Sequence, residues 1–443
     1  MEGRNTLRLL PIPVAALSLY WLFVACFPIF DPMLGDLAFR VMPNNLKIIT
    51  GSCFVIFLAL LLAVFVPSHK SLTGFFSHLI FSVVFIPLCA VYGISDGATS
   101  FVLACMLSLA LAYILFGRQR VSVAKLNPAI DRPIMSFFVV FALGGLAFLL
   151  AQGALKFSFL DFRSVYALRA DAQLGEGPVA ERWITTSAYI ASSFLIAYGL
   201  LYRSASVAIL GMANSYLLYN TFGFKLFLFV VPIVICACAY MRRASPVILP
   251  IVLCGVMTAV LFFSDSSNSY VFGVVDAVNQ TIIRRFIYAQ PYLAFAWYDV
   301  FIDKPMIALS NLFFVKDILS YPFDDPYVVL VGREMFGWNF VPNTGIFGTG
   351  YANFGFPGIV GFTLVTYALL KYIDETSVMA RSAFLVCGAA MPAILFFEAD
   401  LIASIISFGL GLVLVICWIV RRYVSRSGAM SAPFAADPSG RAT

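Results

Sequence analysis

Charge is scarce in this chain. Of its 443 residues only 11% are Asp, Glu, Lys or Arg, while 62% are hydrophobic. A soluble domain carries about 25% charged residues, and a water-soluble fold of this length has too little interior to hide so much apolar surface. Histidine is scarcer still. His69 and His78 are the two in the chain, which argues against a histidine-ligated zinc centre and leaves no histidine base for chemistry at the far side of the membrane. The nine cysteines all fall inside apolar blocks, so no disulfide framework is indicated. Cys236 and Cys238 form a C-x-C pair, but on a helix they point to different faces with no histidine nearby, and they read as small core residues. No repeat of fixed period and no low-complexity tract is visible.

What the chain does have is apolar blocks of roughly 18–22 residues, the length that crosses about 30 Å of hydrocarbon as a helix. They predict spans at 9–30, 48–67, 74–94, 99–117, 134–153, 185–202, 205–222, 224–241, 246–264, 350–370, 383–399 and 401–420. The first block is long enough to span and no small-residue cleavage site follows it, so a spanning helix is expected there instead of a cleaved signal peptide. The expected fold is all-α: a polytopic helical bundle of about 12 spans, one transmembrane domain over 1–426, and a disordered cytoplasmic tail over 427–443.

Basic residues set the orientation. With the N-terminus inside, sixteen of the 28 Lys and Arg but only five of the 22 Asp and Glu fall on the inner side. Dense runs such as Arg118-Gln-Arg120 and Arg242-Arg243 mark the short inner loops, as the positive-inside tendency requires. An even span count returns the C-terminus to the inside. Two outer segments are long, 154–184 and 265–349. The second crowds Phe286, Tyr288, Tyr292, Phe295, Trp297, Tyr298 and Phe301, which suggests short helices lying at the interface.

The outer basic residues concentrate in those segments: Arg163, Arg169 and Arg182 in the first, Arg284, Arg285 and Arg333 in the second, with Lys225 at the tip of a neighbouring hairpin. Any one of them reads most simply as a partner of a nearby acid or as a snorkelling side chain. As a set they suggest a site for an anion, and the preference for arginine suits bidentate contact with phosphate oxygens. An anion met at a membrane surface by a chain with so little soluble mass fits a lipid-borne diphosphate. Downstream, Asn343, Thr344, Tyr351 and Asn353 supply neutral hydrogen-bonding groups suited to sugar hydroxyls. Gly345 opens a glycine-rich run that reads either as a loop whose backbone approaches a ligand or as tight packing at the start of a helix. Asp324 and Asp325 before Pro326 read as a turn, not a metal pair. No metal, cofactor or nucleic-acid partner is expected.

Two stretches carry a resemblance. One is Arg284-Arg-Phe-Ile-Tyr-Ala-Gln-Pro291 with Trp297-Tyr298 and Lys304-Pro305. The other is Pro342-Asn-Thr-Gly-Ile-Phe-Gly-Thr-Gly-Tyr-Ala-Asn-Phe-Gly-Phe-Pro-Gly358. With the span count and the two outer loops, they resemble the Wzy-type polymerases of O-antigen, capsular and exopolysaccharide repeat units. The family's Arg-x10-Gly pattern has near counterparts at Arg163 to Gly175 and Arg333 to Gly345, each with eleven intervening residues instead of ten, so Arg169 remains a rival to Arg163. The resemblance implies a bacterial inner-membrane glycosyltransferase with its site facing the periplasm. Its substrate would be a polyprenyl-diphosphate-linked oligosaccharide, with polyprenyl diphosphate as leaving group, and a flippase and a chain-length regulator as partners besides membrane lipid. Arg284 and Arg333 would stabilise the leaving diphosphate. Glu334, beside Arg333, is the first choice to deprotonate the acceptor hydroxyl, with Glu181 and Asp171 as alternatives. Two other functions stay open. A glycan ligase of similar architecture normally places a histidine in its large outer loop, and here there is none. A flippase tends to carry ionisable groups within the bilayer and internal pseudo-repeats.

The topology is testable by labelling. Gln173→Cys and Asp317→Cys, in a background without exposed cysteines, should both react with a membrane-impermeant maleimide from outside intact cells. Labelling of either only after the membrane is opened contradicts the orientation.

Overall fold

The computed structural model describes residues 11–30, 42–66, 70–117, 126–155, 178–243, 248–263, 288–315, 317–337, 339 and 341–426. Polypeptide that meets hydrocarbon must satisfy its own backbone hydrogen bonds, and a single segment can do this only as a helix. Among the described residues there is no strand. The helices are α1 Pro11–Phe30, α2 Asn45–Phe65, α3 Leu72–Ile94, α4 Thr99–Phe116, α5 Pro128–Ala151, α6 Ala180–Tyr202, α7 Ala205–Phe222, α8 Lys225–Arg243 and α9 Ile248–Phe263. They continue as α10 Gln290–Phe301, α11 Tyr327–Phe336, α12 Gly345–Ala380, α13 Ala383–Gly388, α14 Ala390–Glu398, α15 Leu401–Ile406 and α16 Leu410–Arg426. Seven of them (α2 to α6, α8 and α12) are long and apolar enough to cross a membrane, and shorter apolar stretches lie in α1, α9 and α13–α14.

Several starts carry side-chain caps. Asn44 Oδ1 accepts from the Leu46 and Lys47 amides, Ser71 Oγ from Gly74 N, and Asn127 Oδ1 from Ala129 N just ahead of Pro128 at the first helical turn.

The helix ends gather into two groups, as alternating crossings require. At one end Asp131 and Asp374, both fully buried, tie helices together. Asp374 of α12 accepts hydrogen bonds from Leu72 N (2.7 Å), Thr73 N (2.9 Å) and Thr73 Oγ1 (2.6 Å), and so caps α3 from a distant part of the chain. Asp131 of α5 accepts from the hydroxyls of Tyr202 and Ser382, joining α5 to the ends of α6 and α12. Arg421 lies at this end as well. It donates to Thr376 Oγ1 and the Tyr372 carbonyl, pairs with Glu375 at 3.1 Å and stacks on the Tyr372 ring. At the opposite end Lys47 bridges to Asp96 and to the carbonyls of Ser95 and Gly97, and α10 packs against the α3–α4 turn through Phe295 and Tyr298.

Several boundaries differ from the sequence reading, each for a local reason. α5 and α12 extend well past the predicted spans, so Asp131 and Asp374 lie inside helices and not in the inner loops. The predicted 401–420 span is broken between α15 and α16, where Gly409 adopts φ +84°. The predicted 383–399 span is divided between α13 and α14. The aromatic stretch around Trp297 does not lie on the surface: α10 is buried along nearly its whole length, with Trp297 1% exposed. The 427–443 tail lies outside the described residues.

Truncating Asp374 to Ala strands two buried backbone N–H groups, at about 1–3 kcal/mol each. Asp374→Ala should therefore lower the thermal unfolding midpoint of the purified protein clearly. Asp96→Ala, which removes an exposed ion pair, should leave it unchanged. Equal midpoints for the two variants would contradict this account of the α3 cap.

Candidate functional site

Where helices break, backbone groups are freed, and the second end of the bundle is built from such breaks. α12 is interrupted at Phe354 and Gly355 (φ +63°), ahead of Pro357. The break frees the carbonyls of Ala352 and Asn353, and the turn after α10 accommodates them: Ile307 N donates to Ala352 O at 3.1 Å and Ala308 N to Asn353 O at 3.0 Å. Asn353 completes the joint, its Oδ1 accepting from Leu309 N and its Nδ2 donating to Thr349 O. In α6 the helix widens to a π-turn over Ser187–Ala191, and Asn214 Nδ2 of α7 donates to the Ser187 carbonyl at 3.1 Å and to Ser192 Oγ at 2.9 Å. Tyr189, carried on that turn, faces inward onto Phe227 and Phe408.

The π-turn of α6, the turn after α10 and the chain between α15 and α16 line a cavity of about 1000 Å³ at that end of the bundle. Its frame is hydrogen-bonded. Trp297 Nε1 donates to Pro342 O at 3.0 Å, Gln290 Nε2 to Phe397 O at 2.9 Å, and the Tyr327 hydroxyl to Asp400 Oδ2 at 2.7 Å. Asp400 Oδ1 accepts from Ile402 N and caps α15. Burial, reinforced by the Asp400 carboxylate, pushes the Tyr327 phenol well above its ordinary range, so Tyr327 remains a donor at neutral pH. Gly345 starts α12 against this frame. Its φ is +71° and a Cβ there would lie 2.2 Å from Phe397 O, so the glycine-rich run is tight helix packing at this position.

Polar chemistry is unevenly spread over the wall. The charged lining residues described are Arg182, Lys225, Asp324, Asp325, Glu398 and Asp400, two cations against four acids. Neutral hydrogen-bonding groups come from Asn311, Tyr321, Asn343 and Thr344. The Thr344 hydroxyl is buried and has no hydrogen-bond partner among the described residues. Glu398, 5% exposed, is the most buried of the four acids. Among the described residues no cluster of three or more His, Cys, Asp or Glu is placed to hold a metal ion.

Of the residues singled out from sequence, Lys225, Asn343 and Thr344 line the cavity. Arg333 does not line it. It pairs at 2.5 Å with Asp325, which does, and is itself 48% exposed. Glu334 points elsewhere and pairs with Lys304 at 3.0 Å. Tyr351 packs among Phe101, Tyr298 and Phe356, away from the cavity wall, and Asn353 uses its amide within the α12 break. Arg163, Arg169, Arg284 and Arg285, together with Asp171, lie outside the described residues. Sequence reasoning missed Glu398, Asp400 and Tyr327. The visible signal was Glu398-Ala-Asp400 closing an apolar block, where an acid needs a reason to be buried. Compared with protein-family models, curated proteins and solved structures, the chain matches none.

Proposed function

We propose that the chain is a glycosyltransferase that joins polyprenyl-diphosphate-linked oligosaccharide repeat units. In this reading it spans a bacterial inner membrane about twelve times, counting the short and broken apolar helices as crossings, and its cavity faces outward. The observation that carries the reading is the cavity itself. A pocket of about 1000 Å³ at one end of an apolar helical bundle, walled by carboxylates, amides, phenols and two cations, suits a glycan attached to a lipid. Carboxylates and amides recognise sugar hydroxyls by accepting from them, so the acid-rich wall would hold the acceptor sugar.

In the reaction, a hydroxyl of the acceptor unit attacks the anomeric carbon of the donor glycan. The bond from that carbon to the diphosphate oxygen breaks, polyprenyl diphosphate leaves, and the hydroxyl proton passes to a carboxylate. We assign the proton acceptor to Glu398. It is the most buried of the four acids on the cavity wall, and Glu334 does not line the cavity. Charge gathering on the leaving diphosphate is met by Arg182 and Lys225 of the wall. Arg163, Arg169, Arg284 and Arg285 are the further cations this reading assigns to that task. Arg333 acts through Asp325, holding that carboxylate in place.

Deleting the gene should replace long polymer with single repeat units on lipid or on the final acceptor. Restoring the gene as Glu398→Gln should leave polymer reduced by about a hundredfold or more, the contribution of a general base, at normal protein level. Glu334→Gln should stay near wild type. Undiminished polymer in the deletion or in Glu398→Gln contradicts the assignment, and loss of unit translocation in the deletion favours a flippase.

A further inference from the structure

A second hollow, of about 560 Å³, adjoins the cavity. It lies where α5, α6 and the α15–α16 break meet. Phe141, Trp183, Ile405 and Leu412 form its apolar walls, and Gly409 and Gly411 stand at the break. The hollow exists because the chain leaves the helical path there. A Cβ at Gly409 would lie 2.7 Å from Ile190 Cγ1 and 2.9 Å from Thr186 Cγ2, and one at Gly411 would lie 2.7 Å from Ile405 O. Gly409 therefore lets the chain pass close to α6, and Gly411 lets α16 restart close to α15.

Three features give the hollow a direction. Its flanking helices expose apolar side chains: Phe137, Val140, Leu143 and Leu150 on α5, and Val415, Trp418 and Ile419 on α16. It therefore opens toward hydrocarbon. Arg182 and Ile406 line both the hollow and the cavity, so the two spaces lie side by side on a shared wall. Arg182 is also the one charged residue on the hollow's wall among those described. An apolar hollow on the lipid-facing side, set beside a large polar chamber with one guanidinium on the wall between them, fits a particular ligand. That ligand has one apolar chain, a phosphate at the join, and a bulky polar head. A bilayer phospholipid, with two chains and a small head, would leave most of the chamber unfilled.

We infer that this hollow seats the phosphate-proximal part of a polyprenyl chain and that Arg182 holds the adjoining phosphate. The inference rests on the lipid-linked substrate of the proposed function. It adds the route by which that substrate is seated: laterally, through the break before α16.

The test is photo-cross-linking of the full-length protein in liposomes of phosphatidylethanolamine and phosphatidylglycerol, with benzoylphenylalanine at position 412 and radiolabelled undecaprenyl diphosphate as probe. Label should reach the protein, and unlabelled undecaprenyl diphosphate should suppress it at concentrations at which added phosphatidylglycerol does not. Arg182→Ala should reduce the cross-link about tenfold, the effect of losing one charge-assisted hydrogen bond. A photoreactive residue at Val140, on the lipid-facing side of α5, should cross-link weakly and without dependence on Arg182. No cross-link at 412, or one indifferent to Arg182 and suppressed equally by phosphatidylglycerol, overturns the inference. Because the readout needs no turnover, it separates the two claims. A specific cross-link without polymerisation would keep the seat and reject the polymerase, while polymerisation without the cross-link would reject the seat alone.

Discussion

A backbone amide or carbonyl freed inside an apolar bundle must find a partner within the protein, because no water is there to serve. That requirement explains where the polar side chains of this protein sit. Asp374 answers the open start of α3, Asn214 the widened turn of α6, and Asn353 with the 307–309 turn the interruption of α12. Asp400 answers the start of α15. Each is a small polar device placed at a break, and removing any one leaves a hydrogen-bonding group stranded.

The same devices divide the molecule into two functional halves. At the end bearing Asp131, Asp374 and Arg421, every buried polar group described above faces another helix, and the result is a set of closed joints. At the other end the joints are also hydrogen-bonded, but a cavity lies among them. Tyr327 and Asp400, Trp297 and Pro342, and Gln290 and Phe397 brace a chamber that stays open between them. Glu398 is held in the wall of that chamber by its place at the end of α14, between the frame residues Phe397 and Asp400. The cavity is thus a consequence of how the helices end. Four acids lie on its wall, and Arg182 stands on the side that the cavity shares with the neighbouring hollow.

Much of the fold was legible in the sequence because it follows from length and apolarity alone. The helical segments lie near their predicted positions. The breaks were not legible. Ser407-Phe408-Gly409 is a short interruption in an apolar run, and the left-handed conformation at Gly409 shows that the helix stops there. For the site, Lys225, Asn343 and Thr344 were reached by residue type and position. Glu334 was chosen by its adjacency to Arg333, and adjacency on a helix sends consecutive side chains in different directions, here toward Lys304 and Asp325 respectively. Glu398 and Tyr327 are distant in sequence, and the cavity they share is made by tertiary packing.

The central claim is that this chain forms glycosidic bonds between lipid-linked units. Its most direct measurement is a reconstitution: the purified full-length protein in liposomes, with a synthetic polyprenyl-diphosphate-linked repeat unit as sole substrate. The account predicts a ladder of lipid-linked glycans, with one polyprenyl diphosphate released for each linkage formed. Repeat units that remain chemically unchanged, whether or not they cross the bilayer, would contradict it.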